Sequence, residues 1–351
     1  MTSMRAGRRP KPEELTPTLR FDHLVAMSDS VGLFEHALGC EPRREHGYCV
    51  DDVSRGLIVL MREPELSPQL TELARVYLAF LIESQTPDGL IRNRRSVDGR
   101  WTTEPSVGDW WGRAVWAFGT VAARAQDPLL SQLGLRHAER SMSLRAPYTR
   151  SMTFAALGAA EVATAWPGHR EAVSLLGDMA SMVEGPVSGD WRWPEPRLTY
   201  ANAAVAEALI AAGELTGSAE VRDNGLELLD WLLEHEVLDG HLSVVAAGGA
   251  GPTRPRPAFD QQGIEVAAIA DACARAAAAT GDHLWGRGID LAAGWFEGVN
   301  DSGVPMYDPA SGAGYDGLRR DGRNENCGAE STVSALLTLQ QRIRLAGGGQ
   351  E

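Results

Sequence analysis

Acidic residues recur where apolar, alanine-rich runs of this 351-residue sequence begin. The stretch HGYCVDDVSRGL places Asp51 and Asp52 side by side ahead of one run, and Asp109 and Glu330 stand at the start of two others. Hydrolysis of a glycosidic bond commonly uses two carboxyl groups, one protonated to assist the leaving oxygen and one ionised to activate water or attack the sugar. Mutual repulsion around a shared cavity raises one pKa, while helix N-termini and arginines keep other carboxylates ionised. We therefore predict Asp109 and Glu330 as the acid and base, with Asp52 as the substitute for either.

Amides, arginines and aromatic rings stand near the same starts and in the loops between the runs. Such groups suit sugar recognition, because rings stack on the C–H faces of a sugar while amides and acids form hydrogen bonds to its hydroxyls. The residues predicted to bind substrate are Asp51, Trp110, Trp111, Arg113, Trp191, Trp193, Tyr200, Asn202, Asp260, Gln261, Gln262, Glu265, Tyr315, Asp316 and Asn326.

Each of these residues also has a plainer structural explanation. An acid at a helix start is an ordinary N-cap, and we predict this role for Asp51, which leaves Asp52 to point inward. Trp110 and Trp111 are core residues by default, and Arg113 has an acidic partner for a local ion pair one helical turn before it. The site hypothesis therefore rests on the convergence of the whole set.

Helices must position these groups, because the sequence shows little strand-like alternation and many runs with apolar residues three and four apart. Five amphipathic segments alternate with the alanine-rich runs, and residues 24–39 could supply a sixth. Inner and outer helices alternating every 40 to 70 residues, roughly, predict an all-α fold, the (α/α)6 barrel. The six inner runs begin at Val50, Gly108, Tyr148, Leu198, Phe259 and Cys327.

The predicted connections differ in length at the two ends of the barrel. Those from an inner helix to its outer partner are short, as in WPGH, TGS and TGD, whereas the returns are long and contain glycine, proline and aromatic residues. Long loops of this kind usually carry function, so the end where the inner helices begin is the predicted functional end. Residues 1–20 are predicted to form a disordered or extended tail, and residues 21–346 a single barrel domain.

Charge and cysteine content limit the possible partners. A formal net charge of −14 argues against a nucleic-acid partner, which needs a basic face. The sequence shows no apolar stretch of membrane-spanning length and no apolar leader, so we expect a cytoplasmic protein that does not insert into membranes.

The four cysteines form no CxxC pair, which predicts neither a zinc site nor a disulfide framework. Cys49 and Cys327 precede neighbouring inner helices and are expected to be structural thiols. We expect no metal and no cofactor.

Seven segments carry a family resemblance in a fixed order. They are DSVGLFEHA, GYCVDDVSRGL, GDWWGRAVWAFG, WRWPEPRLTYANA, FDQQGIEVAAIADAC, YDGL and NENCGAEST. Together they resemble the bacterial six-hairpin, glycosidase-like proteins that often occur fused to or beside glycosyltransferases. The resemblance implies an (α/α)6 barrel with a sugar-sized cavity, an oligosaccharide or glycan substrate, and action beside a glycosyltransferase. Gly108, Trp111 and Ala201 depart from the family pattern, which has acidic or polar residues there, and this predicts a changed substrate or a lost activity.

Three functions follow as hypotheses. The leading one is a glycoside hydrolase acting on a bacterial oligosaccharide or cell-surface glycan, and a wide cavity between separated helix starts favours inversion of configuration. The second is a sugar epimerase or isomerase, although such proton transfer usually employs histidine and no inner run contains one, leaving His46 and His241 in the loops. The third is a noncatalytic glycan-binding protein, which would have no need of the acids missing at Gly108 and Ala201.

Overall fold

The computed structural model describes residues 19–348 except 184, 186, 188 and 254. The predicted tail, residues 1–20, lies almost wholly outside this range. No described helix is both long enough and apolar enough to cross a lipid bilayer. The helices of the described part are α1 Asp22–Ala26, α2 Val50–Arg62, α3 Pro68–Ser84, α4 Asp109–Arg124, α5 Pro128–Met142, α6 Thr149–Ala165, α7 Arg170–Met182, α8 Asn202–Thr216, α9 Ala219–Glu236, α10 Gly263–Thr280, α11 Trp285–Glu297 and α12 Ala329–Gly348. The strands are β1 Ala37–Leu38, β2 Glu41–Pro42, β3 Tyr48–Cys49, β4 Arg94–Arg95, β5 Val237–Leu238, β6 His241–Leu242, β7 Tyr307–Asp308, β8 Ala313–Gly314, β9 Gly317–Arg319 and β10 Gly322–Asn324.

The even-numbered helices from α2 to α12 form a closed ring. Each contacts the even-numbered helices before and after it, and α12 contacts α2. The odd-numbered helices α3 to α11 pack outside the ring, each against the inner helix that precedes it. Because one outer helix returns the chain between successive inner helices, all six inner helices begin at the same end. This arrangement confirms the predicted (α/α)6 barrel.

The sixth outer position differs from the prediction that residues 24–39 form a helix. Only α1 is helical there, and the chain then forms the β1–β2 hairpin. Gly32 and Gly39 explain the break, because glycine weakens a helix and Gly39 adopts a φ of +56° in the two-residue turn of the hairpin. Glu35 and His36 therefore lie on an irregular segment.

Outer and inner helices begin differently. Ser67, Asp127 and Ser218 cap α3, α5 and α9, each accepting a hydrogen bond from a backbone N–H of the first turn. Within the described residues, no side chain caps α2, α4, α6, α8 or α10. The prediction that Asp51 caps α2 is wrong, because Cys49 occupies the N-cap position and Asp51 lies inside the first turn. The acids at the inner starts thus make other contacts than helix capping.

Two glycines allow the backbones of α4 and α6 to pack in direct contact. A Cβ atom at Gly119 would lie 2.3 Å from the carbonyl oxygen of Gly158, and one at Gly158 would lie 2.4 Å from that of Val115. Both helices carry a buried arginine near their first turn, Arg113 on α4 and Arg150 on α6. The helices that carry these two arginines are thus in direct backbone contact.

Gly158→Ala is expected to lower the free energy of unfolding by about 1–3 kcal/mol, because the added methyl group has to push α4 and α6 apart. Gly177→Ala on α7 is the matched control, since Gly177 is exposed and no atom lies within 4 Å of its Cβ position. Helix propensity alone should then raise stability by up to about 1 kcal/mol. Urea denaturation measures both changes, and equal midpoints for Gly158→Ala and the wild type would contradict a tight crossing.

The opposite end of the barrel is closed by buried ion pairs. Nη1 of Arg62, the last residue of α2, donates hydrogen bonds of 2.9 Å to both carboxylate oxygens of Asp271 on α10. Gln341 of α12 donates a further hydrogen bond of 2.5 Å to Asp271. Glu161 on α6 and Glu207 on α8 pair with arginines of α4 and α10. These contacts join α2, α8, α10 and α12 in one set and α4 with α6 in another.

Candidate active site

A polar cavity of about 520 Å³ opens at the end of the barrel where the inner helices begin. The first two turns of α2, α4 and α12, the segment before α10 and the segments next to β1 and β10 contribute to its wall. Its volume lies in the range of sites for small ligands. The lining residues are Glu35, His36, Cys49, Asp51, Asp52, Arg55, Arg94, Arg113, Ala247, Asp260, Gln262, Asp316, Gly317, Asn324, Gly328, Glu330 and Ser331.

Arg55 joins two carboxyl groups in the wall of this cavity. It lies one turn after Asp52 on α2, and its Nη1 donates a 2.6 Å hydrogen bond to Asp52 Oδ1. Its Nη2 donates a 2.8 Å hydrogen bond to Oε2 of Glu330, which is 275 positions away in the first turn of α12. Asp52 is buried, whereas the Glu330 side chain keeps 38% of its surface exposed. Two neighbouring inner helices thus present their carboxyl groups to one guanidinium.

The adjacent aspartates of α2 differ in protonation. Burial raises the pKa of Asp52 to about 8, because Arg55 offsets it only in part and the charges of Glu330 and Asp51 add to it. Burial acts on Asp51 as well, but the guanidinium groups of Arg113 and Arg55 outweigh it and hold the pKa of Asp51 below its ordinary value. At neutral pH Asp52 therefore holds a proton while Asp51 is ionised.

Arg113 does not form the local ion pair predicted for it. Its Nη1 donates a 2.8 Å hydrogen bond to Oδ1 of Asp51 on the neighbouring helix. Its guanidinium also lies 4.2 Å from the centroid of the Phe154 ring. Arg113 is thus buried between α2, α4 and α6, where it neutralises Asp51.

Glu35, Cys49 and Asp52 are the described residues whose donor atoms lie close enough to share a metal ion, all within 4.8 Å of one another. Arg94 donates a hydrogen bond to Glu35, and Arg55 does so to Asp52, so both carboxylates already have cationic partners. Burial raises the pKa of the Cys49 thiol well above its ordinary value, which keeps its proton on the sulfur. A cation there would have to displace two arginines and a proton.

Asp109 lies outside the lining of the cavity. Its Oδ1 accepts a 2.7 Å hydrogen bond from the Ser151 hydroxyl, and its Oδ2 accepts one from the Tyr200 hydroxyl. Both carboxylate oxygens therefore have protein donors from α6 and from the loop before α8. In this arrangement Asp109 positions Tyr200 and does not meet Glu330.

A second polar cluster joins the starts of α6, α8 and α10. Nη2 of Arg150 donates hydrogen bonds of 3.0 Å to Glu195, Thr199 and Asn202. Glu265 accepts hydrogen bonds from the Asn202 side chain and from the backbone N–H of Ala201. Burial raises the pKa of Glu265 to about 7. Tyr200, Asn202 and Glu265 were predicted to bind substrate. In the structure they belong to this cluster, which stabilises the start of α8, where no side-chain cap is present.

The predicted aromatic platforms are mostly buried. Trp111 and Trp193 have 0% and 1% of their surface exposed and present no face to a ligand. Trp110 and Trp191 are half-buried, and their indole N–H groups donate to the carbonyl oxygens of Ile91 and Glu195. The Tyr315 ring is half-buried, and the guanidinium of Arg323 covers it 3.5 Å from its centroid. No aromatic residue is among the lining residues of the cavity in the described part of the chain.

Three more predicted binding residues, Asp260, Gln262 and Asp316, line the cavity. Asp316 accepts hydrogen bonds from the Gly328 N–H and the Ser331 hydroxyl, which fixes the turn into α12. Gln261 is fully buried, and its amide bonds to Ala258, Asp301 and Trp295. Asn326 accepts a hydrogen bond from the Gly39 N–H and joins the β1–β2 hairpin to the segment before α12.

The lining residues absent from the predicted site include two carboxylate or imidazole side chains, Glu35 and His36, and two arginines, Arg55 and Arg94. Glu35 and His36 were missed because a helix was predicted through their segment. Arg94 comes from the long loop after α3, which folds back to pair β4 with β3. The glycines around Glu35 and His36 were the available signal that this segment is not helical.

No protein-family model matches this sequence, and no curated protein matches it. Solved structures share its fold. A cellobiose 2-epimerase from Bacillus thermoamylovorans B4167 superposes with a TM-score of 0.70 and 10% identity over 92% of this chain and 96% of that one. A D-mannose isomerase gives a TM-score of 0.67 and 10% identity over 92% and 94%. The family 9 endoglucanase J30 gives 0.58 and 15% over 89% and 74%. At these identities the likeness concerns the fold: the chain has the (α/α)6 barrel that these epimerases, isomerases and glycoside hydrolases share.

Proposed function

We propose that the chain is a carbohydrate-acting enzyme that hydrolyses a glycosidic bond of a bacterial oligosaccharide or cell-surface glycan. The observation that carries this proposal is the pair Asp52 and Glu330, held by one guanidinium in the wall of the 520 Å³ cavity. One carboxyl group of the pair keeps its proton at neutral pH, and the other is the more exposed. This is the combination that glycoside hydrolysis uses.

Asp52 is assigned as the acid and Glu330 as the base or nucleophile. Asp52 would donate its proton to the departing glycosidic oxygen, and Glu330 would activate water or attack the sugar carbon. Arg55 donates a hydrogen bond to each group and so orients both. Asp52 takes the place of Asp109 in this assignment, since Ser151 and Tyr200 occupy both oxygens of Asp109.

The stereochemical course remains a prediction of inversion. Proton nuclear magnetic resonance during the reaction shows the anomeric configuration of the first product formed. The anomer that appears first is the enzymatic product, because mutarotation is slower than a fast enzymatic turnover. A product with the configuration of the substrate would assign Glu330 as a nucleophile.

Epimerisation or isomerisation of a reducing sugar is the second candidate, and one observation favours it. His36, which the sequence did not suggest, lines the cavity beside Glu35. Its Nδ1 lies 3.0 Å from Nδ1 of His46. An imidazole at the cavity wall can move a proton at a sugar carbon near neutral pH, with Glu330 on the α12 side as a second proton carrier. The structural likeness to the epimerase and the isomerase supports this candidate as well.

Incubation of the purified protein with a panel of bacterial glycans and reducing disaccharides in D₂O separates these candidates. A hydrolase releases new reducing ends without deuterium on carbon. An epimerase or isomerase leaves the chain length unchanged and introduces carbon-bound deuterium. Binding without any product, measured by calorimetry on the same panel, would overturn both enzyme proposals in favour of a glycan-binding protein.

Glu330→Gln and Asp109→Asn form the control pair for the panel. The first is expected to abolish product, because the amide can neither accept a proton nor attack. The second is expected to keep the activity, since Asp109 lies outside the cavity lining. Loss of product in Asp109→Asn with retained activity in Glu330→Gln would reverse the assignment.

Action beside a glycosyltransferase and a cytoplasmic location remain predictions.

A further inference from the structure

Two cysteines meet beside the cavity, on segments that contribute lining residues. These segments, residues 35–40 and 327–330, form one side of the cavity rim. Sγ of Cys40 lies 3.1 Å from Sγ of Cys327, although 287 positions separate them in the chain. Cys40 is exposed in the turn between β1 and β2, and Cys327 is buried two residues before α12. Cys49 also precedes an inner helix next to α12, and its thiol contacts Asp51 and Asn93. Both cysteines of the rim are free thiols.

Backbone hydrogen bonds hold the two segments in this register. The N–H of Cys327 donates to the carbonyl oxygen of Gly39 at 2.9 Å, and the N–H of Ala329 donates to that of Glu35 at 3.2 Å. The Gly39 N–H donates to Oδ1 of Asn326 at 2.9 Å. A disulfide has a sulfur–sulfur distance of about 2.05 Å, so the two sulfurs need to approach by only about 1 Å. Side-chain rotation can supply this movement while the backbone register is kept.

We propose that Cys40 and Cys327 form a disulfide when hydrogen peroxide is the oxidant. The thiolate of Cys40, which solvent reaches, attacks one peroxide oxygen, and the oxygen–oxygen bond breaks to give a sulfenic acid and hydroxide. The hydroxide and the Cys40 proton form water. The sulfur of Cys327 then attacks the sulfenic sulfur, the sulfur–oxygen bond breaks, and the departing hydroxide takes the Cys327 proton as a second water. Two thiols and one peroxide thus give one disulfide and two waters.

The disulfide would lock one side of the cavity rim. Glu35 and His36 line the cavity a few residues before Cys40, and Glu330 lines it three residues after Cys327. Joining the two cysteines ties the β1–β2 hairpin covalently to the start of α12. The other two thiols lie against different groups: Cys49 contacts Asp51 and Asn93, and Cys273 packs against Gly288. Oxidation of the pair would therefore restrict the movement of the β1–β2 hairpin relative to α12.

Peroxide treatment of the full chain, followed by intact mass and thermal unfolding, tests the proposal. We expect a mass loss of about 2 Da, a Cys40–Cys327 linked peptide after digestion, and a rise in Tm of about 5 °C, because the bond closes a very long loop of the unfolded chain. Dithiothreitol should reverse all three. Cys40→Ser and Cys327→Ser should show none of them, whereas Cys273→Ala should respond like the wild type.

Two results would overturn the proposal. One is a mass gain of oxygen atoms on Cys40 without a linked peptide, and the other is a disulfide-linked dimer through Cys40. Cys40→Ser keeps the test decisive if Cys327→Ser fails to fold, because Cys40 is exposed. The readouts are mass and stability, so the proposal stands or falls independently of the reaction the cavity performs.

Discussion

Asp52→Asn is expected to lower kcat about 10²- to 10⁴-fold on whichever natural glycan the panel identifies, the range typical of a lost general acid. Asparagine matches the size of the protonated aspartate and keeps an oxygen that can accept the hydrogen bond of Arg55, so the variant should fold. What it lacks is the proton for the leaving oxygen. Steady-state kinetics on the variant and the wild type measure the ratio.

A substrate with an acidic phenol as its leaving group sharpens the test. Such a phenol departs without receiving a proton, so Asp52→Asn should recover most of its activity on a nitrophenyl glycoside of the same sugar. Glu330→Gln should not recover, because activation of the water or attack on the sugar is still missing. Equal defects of Asp52→Asn on both substrates would exclude Asp52 as the acid.

The pH dependence of the wild type follows from the raised pKa of Asp52, about 8. Activity should fall on the alkaline side as the carboxyl group loses its proton. Stability should change in the same direction: between the ordinary carboxyl pKa and about 8 the folded chain holds a proton that the unfolded chain has lost, so stability decreases as pH rises through this window. Asp52→Asn removes this loss and should be more stable than the wild type at pH 9 but not at pH 4.

The helices were predictable from the sequence because their pattern is local. Alanine-rich runs that are apolar on most faces can only be buried, and segments with one charged face can only lie outside. The close crossing of α4 and α6 required the structure, although its cause, the pair Gly119 and Gly158, is present in the sequence. The segment around Glu35 was predicted wrongly because its apolar spacing suggested a helix, whereas the glycines at both ends favoured a hairpin.

The candidate site was predictable only in part, because its decisive contacts are distant in the chain. The barrel prediction placed Glu330 and Asp52 at the same end. Arg55 stands one helical turn after Asp52, so a local ion pair was a sufficient explanation for it, and its second partner Glu330 could not be inferred. Asp109 illustrates the converse. Its position at an inner start suggested a catalytic acid, yet α6 supplies Ser151 and the loop before α8 supplies Tyr200 as donors, and no local pattern encodes that.

Arg62→Met is expected to lower the free energy of unfolding by about 3–5 kcal/mol, the usual effect of removing one partner of a buried ion pair. Arg62 and Asp271 each have about 5% of their side-chain surface exposed, so no water replaces the lost guanidinium. Among the described residues, Gln341 would remain as the side-chain donor to Asp271. Because a domain is stable by about 5–15 kcal/mol in total, this single change could remove a large share of the stability.

Two comparisons identify the uncompensated charge of Asp271 as the cause. The double variant Arg62→Met/Asp271→Leu should recover most of the loss, since it replaces the pair by apolar groups. Arg75→Met is the exposed counterpart: its partner Glu72 lies 3.5 Å away with 69% of its side chain in solvent, and the cost should stay below about 1 kcal/mol. If the double variant were no more stable than Arg62→Met, the loss would come from the missing packing of Arg62 against Trp116, whose ring centroid lies 5.5 Å from its guanidinium, and not from charge.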